Sequence, residues 1–261
     1  ALPIWNTCNT RSHKSAMTAS IQGAWLGSNQ MIRIEILTIG EMSGLPKIRI
    51  CIVGAGGIGA NLARALIPSL TSGKLVRDLG GAEVMVFDSD IVSSSNIAHQ
   101  GYLPSHVGDS KAKALENSLE EYDDEWVTLT GISRDLRSLD MLDGFDLIVV
   151  CVDSPRARLL VHENGGKWLD LRCRGDCFVA VDYRMDDVLI SKMTDPDQMA
   201  GSCQHRGALD SGMIQFGHLS AASHGCQWVI QELIGILGGA CMAPFPVAHS
   251  VTFGTLERFE I

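Results

Sequence analysis

Two apolar patterns alternate along this chain. Short, nearly unbroken apolar runs suited to strands buried on both faces recur as IRICIVG from Ile48, AEVMVFD from Ala82, WVTLTGI from Trp126 and DGFDLIVVCVD from Asp143. Between them lie stretches with helical spacing: Leu62, Ala65 and Leu66 after a glycine loop, then Ser110 to Tyr122, then Arg156 to His162. Pro68 is expected to end the first of these helices, and Asp109 or Ser110 to cap the second. TSGKLVRDLGG reads as a polar connector, and KWLDLRCRGDCFVAVDYR as two strands with a tight turn at Gly175 and Asp176. Residues 186–212 read as irregular. From Met213 to Leu237, apolar residues at Ile214, Leu219, Ala222, Cys226, Val229, Ile230, Leu233 and Leu237 predict a long helix ended by Gly238 and Gly239. The tail from Pro246 supplies one or two terminal strands, and Ile32–Thr38 alternates as an added edge strand would.

Strands alternating with helices predict an α/β domain with a doubly wound, largely parallel sheet, and antiparallel strands in its C-terminal half. Residues 1–46 read as an N-terminal arm, and 47–261 as the domain, with halves at about 47–160 and 161–261. The arm lacks the basic start and apolar block of a secretory signal; Met17, Met31 and Met42 are alternative starts. At 46% hydrophobic and 20% charged residues, the chain can bury a sizeable core without disulfides. A net charge of −9 argues against a nucleic-acid partner, and no apolar run is long enough for a membrane span. Cys51 and Cys151 fall inside apolar runs, a usage that fits reduced, buried thiols and a cytoplasmic location.

Gly54, Gly56 and Gly59 form G-x-G-x-x-G directly after the first strand and directly before a helix, with Gly57 between them. The glycines permit a tight turn, approach of backbone N–H groups to phosphate and close helix–strand packing, which predicts a Rossmann-like nucleotide site. Asp88 ends the second strand, where a carboxylate can bind ribose. These features alone fit NAD as well as ATP. Downstream, Asn96, Gln100 and Lys111 supply polar and cationic groups, and Asp153 sits at the end of a further strand, where sites of α/β sheets collect. The bland readings are a turn cap for Asn96, a solvated lysine at Lys111 and a helix cap at Asp153.

GAGGIG at 54–59, D-x-D-x-V-x-x-S-N-x-x-x-Q at 88–100, HVGDSKA at 106–112 and VDSPRAR at 152–158 together resemble the ThiF/MoeB/HesA family of adenylating enzymes. That family includes the adenylation domains of ubiquitin-activating enzymes. The resemblance covers residues 47–160 most clearly and 166–238 more loosely. It implies ATP and Mg²⁺ as cofactors, with Gly54, Gly56, Gly57 and Gly59 along the phosphates and Asp88, with Asp90 beside it, at the ribose. It further implies Asn96 and Gln100 near the phosphates, Lys111 paired with phosphate, Asp153 carrying Mg²⁺ and Arg158 as the basic position five residues on. The implied partner is a small ubiquitin-like or sulfur-carrier protein with a Gly-Gly C-terminus, and the implied assembly is a homodimer.

Three departures qualify the match. His99 stands where the family carries arginine, which replaces a permanent forked cation by a titratable ring; Arg11 or Arg33 of the arm is a candidate substitute. The paired CxxC motifs that hold structural zinc in many members are missing, so no structural zinc site is expected; Cys173, Cys177, Cys203 and His205 are the weak alternative. The region joining the halves is too short for an inserted cysteine domain. Cys203, in GSCQHRGALDSG, is the candidate acceptor thiol, with His205 and Arg206 expected to favour its thiolate. Cys51, Cys151 and Cys226 read as structural.

Overall fold

The computed structural model describes residues 46–194 and 201–261. The strand expected at Ile32–Thr38, Arg11 and Arg33 lie outside them. Among the described residues eight strands form one sheet: β1 (Ile48–Val53), β2 (Ala82–Phe87), β3 (Val127–Ile132), β4 (Leu147–Val150), β5 (Lys167–Arg174), β6 (Cys177–Asp182), β7 (Val247–Ser250) and β8 (Gly254–Arg258). Their order is β3-β2-β1-β4-β5-β6-β7-β8. The first five are mutually parallel; β6, β7 and β8 continue antiparallel. The helices are α1 (Gly57–Thr71), α2 (Leu75–Asp78), α3 (Ile97–Gln100), α4 (Lys111–Ser118), α5 (Pro155–His162), α6 (Asp187–Met193), α7 (Ala208–Ser211) and α8 (Gly217–Ile236).

The apolar runs are continuous because the sheet is covered on both faces. In β1, Ile50 and Ile52 join the cluster under α1, α4 and α8, whereas Cys51 and Val53 join the one under α5 and α6. The same alternation divides Leu147 and Val149 from Ile148 and Val150 in β4. Fully burying such a side chain contributes about 1.5–3 kcal/mol each, so the central strands anchor the fold.

Several expectations need correction. Pro68 does not end α1, which runs on to Thr71. Ile67 and Leu70 of the last turn are buried, and Ser69, Thr71 and Ser72 donate their hydroxyls to carbonyls at positions 65 and 68. Packing and these side-chain bonds offset the single backbone bond that proline removes. The connector after α1 contains α2, fixed by buried Val76. Residues 186–212 are not all irregular: α6 begins at Asp187, capped by Asp186, whose carboxylate accepts from the N–H groups of Val188 and Leu189, and α7 follows. Ser110 is the cap of α4, which ends at Ser118 before a 3-10 turn over Glu120–Tyr122. The long helix α8 starts at Gly217 rather than Met213. Among the described residues no helix is long and apolar enough to cross a membrane.

Gly131 of β3 marks a close approach of α4 to the sheet. A Cβ there would lie 2.2 Å from the Ala112 carbonyl oxygen and 2.6 Å from its carbon, both backbone atoms of α4. Gly131→Ala is therefore expected to push α4 outward and to cost about 1–3 kcal/mol, read as a lower urea midpoint with an unchanged m-value.

Candidate functional site

The strand order reverses between β1 and β4, and the crevice outside the carboxyl ends at such a point is where α/β sheets bind ligands. Here the two strand ends are pressed together. The Cys151 N–H donates to Val53 O at 2.8 Å, and the Gly54 N–H to Phe87 O at 2.7 Å. Gly54 has φ +105°, and a Cβ on it would meet Val152 at 2.8 Å. A Cβ on Gly59 would lie 1.8 Å from Gly54 O, so the first turn of α1 closes on the loop only with glycine at 59. Gly56 has open space around it and caps α1, leaving N–H groups of the first turn at the accessible end of the helix.

Asp88 is fixed from two sides: its carboxylate accepts from the Ala55 N–H at 2.6 Å and the Asp90 N–H at 2.8 Å. Burial raises its pKa above the usual carboxylate range, against the pull of those two donors and of Lys111. Asp88 and Asp153 line one cavity of about 440 Å³, together with Ser89, Asp135, Arg137 and Arg156. Ser154, not Asp153, caps α5, through the Ala157 N–H at 3.4 Å, so the cap reading of Asp153 is set aside. Ser89 donates to Asp135, which Arg137 also contacts; Asp135 and Arg137 were not anticipated from the sequence, where the loop after β3 carries no motif, and Ser89 is an unassigned position of the motif at 88–100.

Lys111 is buried, and its ammonium lies 2.8 Å from an Asp90 carboxylate oxygen. Lys113, its neighbour on α4, is instead exposed and pairs with Glu116. Asn96 performs the bland role: its side-chain oxygen accepts from the Ser93 N–H at 2.9 Å and closes a 3-10 turn. Gln100 Nε2 lies 3.3 Å from His99 Nε2, and the Gln100 backbone oxygen accepts from Arg64 at 3.0 Å. Tyr102, which no motif flagged, donates its hydroxyl to Ala55 O at 2.6 Å and also lies 3.2 Å from Lys111 O, tying the glycine loop to α4.

Arg158 does not line the cavity. It is buried, with Nε 3.5 Å from Asp170 Oδ1. Asp170 is fully buried in the middle of β5, opposite Val150 at the end of β4, and also faces His162 at 3.1 Å and Arg172 at 2.6 Å. Burial pushes the Asp170 carboxyl up, but His162, Arg172 and Arg158 outweigh it and hold it below the usual range. A buried carboxylate is tolerated only with such partners, and the spacing along one strand gave no sign of a cluster assembled from α5 and β5.

Cys203 is partly buried, and its thiol contacts that of Cys173; the Gly175 N–H donates to Cys203 O at 2.8 Å. The hydrogen bond from Cys173 holds the Cys203 thiol below its ordinary range, with Arg158 assisting against burial and Asp153. The largest lowering effects come from Cys173 and Arg158 rather than from the expected helpers, His205 and Arg206. Cys51 and Cys151 are buried thiols raised far above their ordinary range by burial, and burial likewise pushes Cys226 up to about 11. Among the described residues no three His, Cys, Asp or Glu side chains gather as a metal site. A magnesium ion at Asp153 would thus need ligands from bound phosphates and water, the usual mode for this ion.

The ThiF family model matches residues 28–242. Over 139 residues the chain is 27% identical to the mouse (Mus musculus) adenylyltransferase and sulfurtransferase MOCS3, covering 52% of this chain and 28% of that protein. Over 134 residues it is 32% identical to SUMO-activating enzyme subunit 2 of Dictyostelium discoideum, covering 49% of this chain and 19% of that one. These matches span under a third of either relative's length. The fold is similar to that of E. coli MccB, solved with ATP, at a TM-score of 0.53 and 14% identity over 85% of this chain and 66% of that one. PaaA is similar at a TM-score of 0.56 and 15% identity.

The loop geometry separates two glycines that look alike in sequence. Gly59→Ala is expected to cost about 3 kcal/mol or more through its clash with backbone, whereas Gly56→Ala should stay within about 1 kcal/mol of the parent, both read from urea unfolding.

Proposed function

Because the chain belongs to the ThiF family, we propose that it binds ATP with Mg²⁺ and adenylates the C-terminal carboxylate of a small protein or peptide. The observation that carries this reading is the placement of Asp88 and Asp153 on one cavity at the β1–β4 switch point, beside the glycine loop and buried Lys111. An NAD enzyme needs the glycine loop and Asp88 but has no use for a second carboxylate across the cavity or a lysine behind the loop.

In this reading the first turn of α1 receives the phosphates on its N–H groups. Asp88, already held by Ala55 and Asp90, orients the ribose. Lys111 meets phosphate charge, with Asp90 keeping its ammonium in place until the nucleotide arrives. Asp153 holds the magnesium ion, whose chemistry is to offset charge on the departing pyrophosphate. The substrate carboxylate oxygen attacks the α-phosphorus, the bond to the β-phosphate oxygen breaks, and pyrophosphate leaves. Asn96 and Gln100 shape the phosphate side: Asn96 by closing the turn before α3, Gln100 by its free buried carbonyl oxygen. Arg158 is a positioning residue in this scheme, since its partner is Asp170.

The carrier is proposed to be a ubiquitin-like or sulfur-carrier protein ending in Gly-Gly, and the active assembly a homodimer. Residues 47–160 would form the nucleotide half and 161–261 the half that receives the carrier. Cys203 is the proposed acceptor: its thiolate attacks the acyl-adenylate carbonyl, expels AMP and leaves a thioester. The lowered thiol pKa supports this role, through Cys173 and Arg158. A second reading, a non-catalytic family member that serves as a scaffold for a partner, is favoured by His99 in place of arginine.

Pyrophosphate–ATP exchange with candidate carriers tests the proposal. Carrier-dependent exchange is expected from the parent chain; Asp153→Ala should lower it by about 100-fold or more, the scale of losing one electrostatic contact to developing charge. Cys203→Ala should retain exchange and lose only thioester formation. ATP binding without exchange for any carrier would overturn the adenylation reading, and absence of ATP binding would favour the scaffold.

A further inference from the structure

Behind the first turn of α1 lies a cluster of buried polar side chains, two of whose members, His99 and His218, the ATP reading does not use. His99, only 8% exposed, has a buried Nδ1 with no partner, and the same holds for Gln100 Oε1 and Arg64 Nη2. His218 of α8, 2% exposed, packs on Gly57: a Cβ built on that glycine would lie 3.6–3.7 Å from its side chain. The two imidazoles meet edge to face, with centroids 6.0 Å apart. His218 is set by Gln204, whose amide nitrogen is 3.5 Å from His218 Nδ1 while its own groups bond to both backbone groups of Gln215.

The surroundings of the pair are cationic or neutral. From α4 comes Lys111, from α1 the guanidinium of Arg64, held on Gln100 O, and from the segment before α8 the amides Gln204 and Gln215. No carboxylate is among the groups that act on either ring; Asp90 is engaged with Lys111. Burial lowers the proton affinity of both, for His99 with the added repulsion of His218 and Lys111, and for His218 against the opposing Gln215 backbone. Both rings are therefore neutral in the free protein near neutral pH. An anion on the first turn of α1 reverses that balance, because its charge favours the protonated ring. Repulsion between adjacent imidazoliums limits the gain to one proton shared by the pair.

We infer that His99 and His218 form a proton-accepting phosphate site, so that nucleotide binding to this chain takes up a proton where an arginine would supply a fixed charge. The inference rests on the ATP reading of the same site and deepens it. It assigns His218, on the last long helix, to the phosphate machinery, and it turns the missing arginine into a pH-dependent affinity.

Isothermal titration of the full chain with ATP and saturating Mg²⁺, at about pH 7.5 where the phosphates are ionised, tests it in two buffers of different ionisation enthalpy. The expected result is uptake of about one proton per ATP and an affinity that weakens by nearly tenfold per pH unit above neutrality. His99→Arg should remove the buffer-dependent heat and flatten the affinity, with binding at about pH 8.5 tighter than the parent's. His218→Gln, checked for an unchanged melting temperature, should reduce the uptake while ATP still binds. ATP binding with buffer-independent heat and flat affinity in the parent would overturn the inference and leave the ATP reading intact. Full proton uptake in the His99→Arg, His218→Gln double variant would overturn it equally, and no ATP heat at all would overturn both readings.

Discussion

One close approach governs this site: Gly59 of α1 against the carbonyl of Gly54, at a separation that excludes even a methyl group. It sets how near the helix comes to the end of β1, and so where the N–H groups of its first turn lie. The loop then presents the Ala55 N–H to Asp88 and the Ala55 carbonyl to Tyr102, which reaches Lys111 O. Asp88 and Tyr102 are placed by backbone groups of a loop whose course depends on the absence of a Cβ. Electrostatics enters second, through a helix end and a buried lysine acting on a geometry already fixed.

Much of the fold was legible because its signals are local. Continuous apolar runs gave β1 to β4, the turn at Gly175–Asp176 gave the β5–β6 hairpin, and the tail gave β7 and β8. The signals that failed were those tertiary packing overrides. Proline at 68 is a strong breaker in isolation, but Ile67 and Leu70 are held in the core and carry the helix past it. The α6 turn hides among polar residues, because Asp186 supplies a cap while only Ile190 is buried. The first turn expected of α8 is absent: Gln215 is engaged by Gln204, and helical pairing begins at Gly217.

The site divides along the same line. Gly54 to Gly59, Asp88, Lys111 and Asp153 stand at motif spacings; Asp88 and Asp153 line one cavity, the Ala55 N–H of the glycine loop bonds Asp88, and Lys111 pairs with Asp90 of that cavity. Arg158 stands at a motif spacing as well, but faces Asp170, a carboxylate brought near by the parallel pairing of β4 with β5. Tyr102, His218 and Cys173 act across 47, 119 and 30 residues of sequence, on Ala55, His99 and Cys203 respectively. No period or short motif reports contacts of that range. The signal that does report them is physical: a tyrosine hydroxyl or an imidazole that is almost fully buried has to be near a group worth the desolvation.

The Tyr102 hydroxyl also works as a ruler. It measures the chain from the end of β2 to the start of α4, since its two acceptors lie on the glycine loop and on the first residue of that helix. One residue added or removed on either side displaces the ring by up to about 3.5 Å, more than a hydrogen bond can stretch. The excursion from Asp88 to Lys111 therefore tolerates changes of surface side chains far better than changes of length. This loop is a fixed spacer, and its length is part of the site.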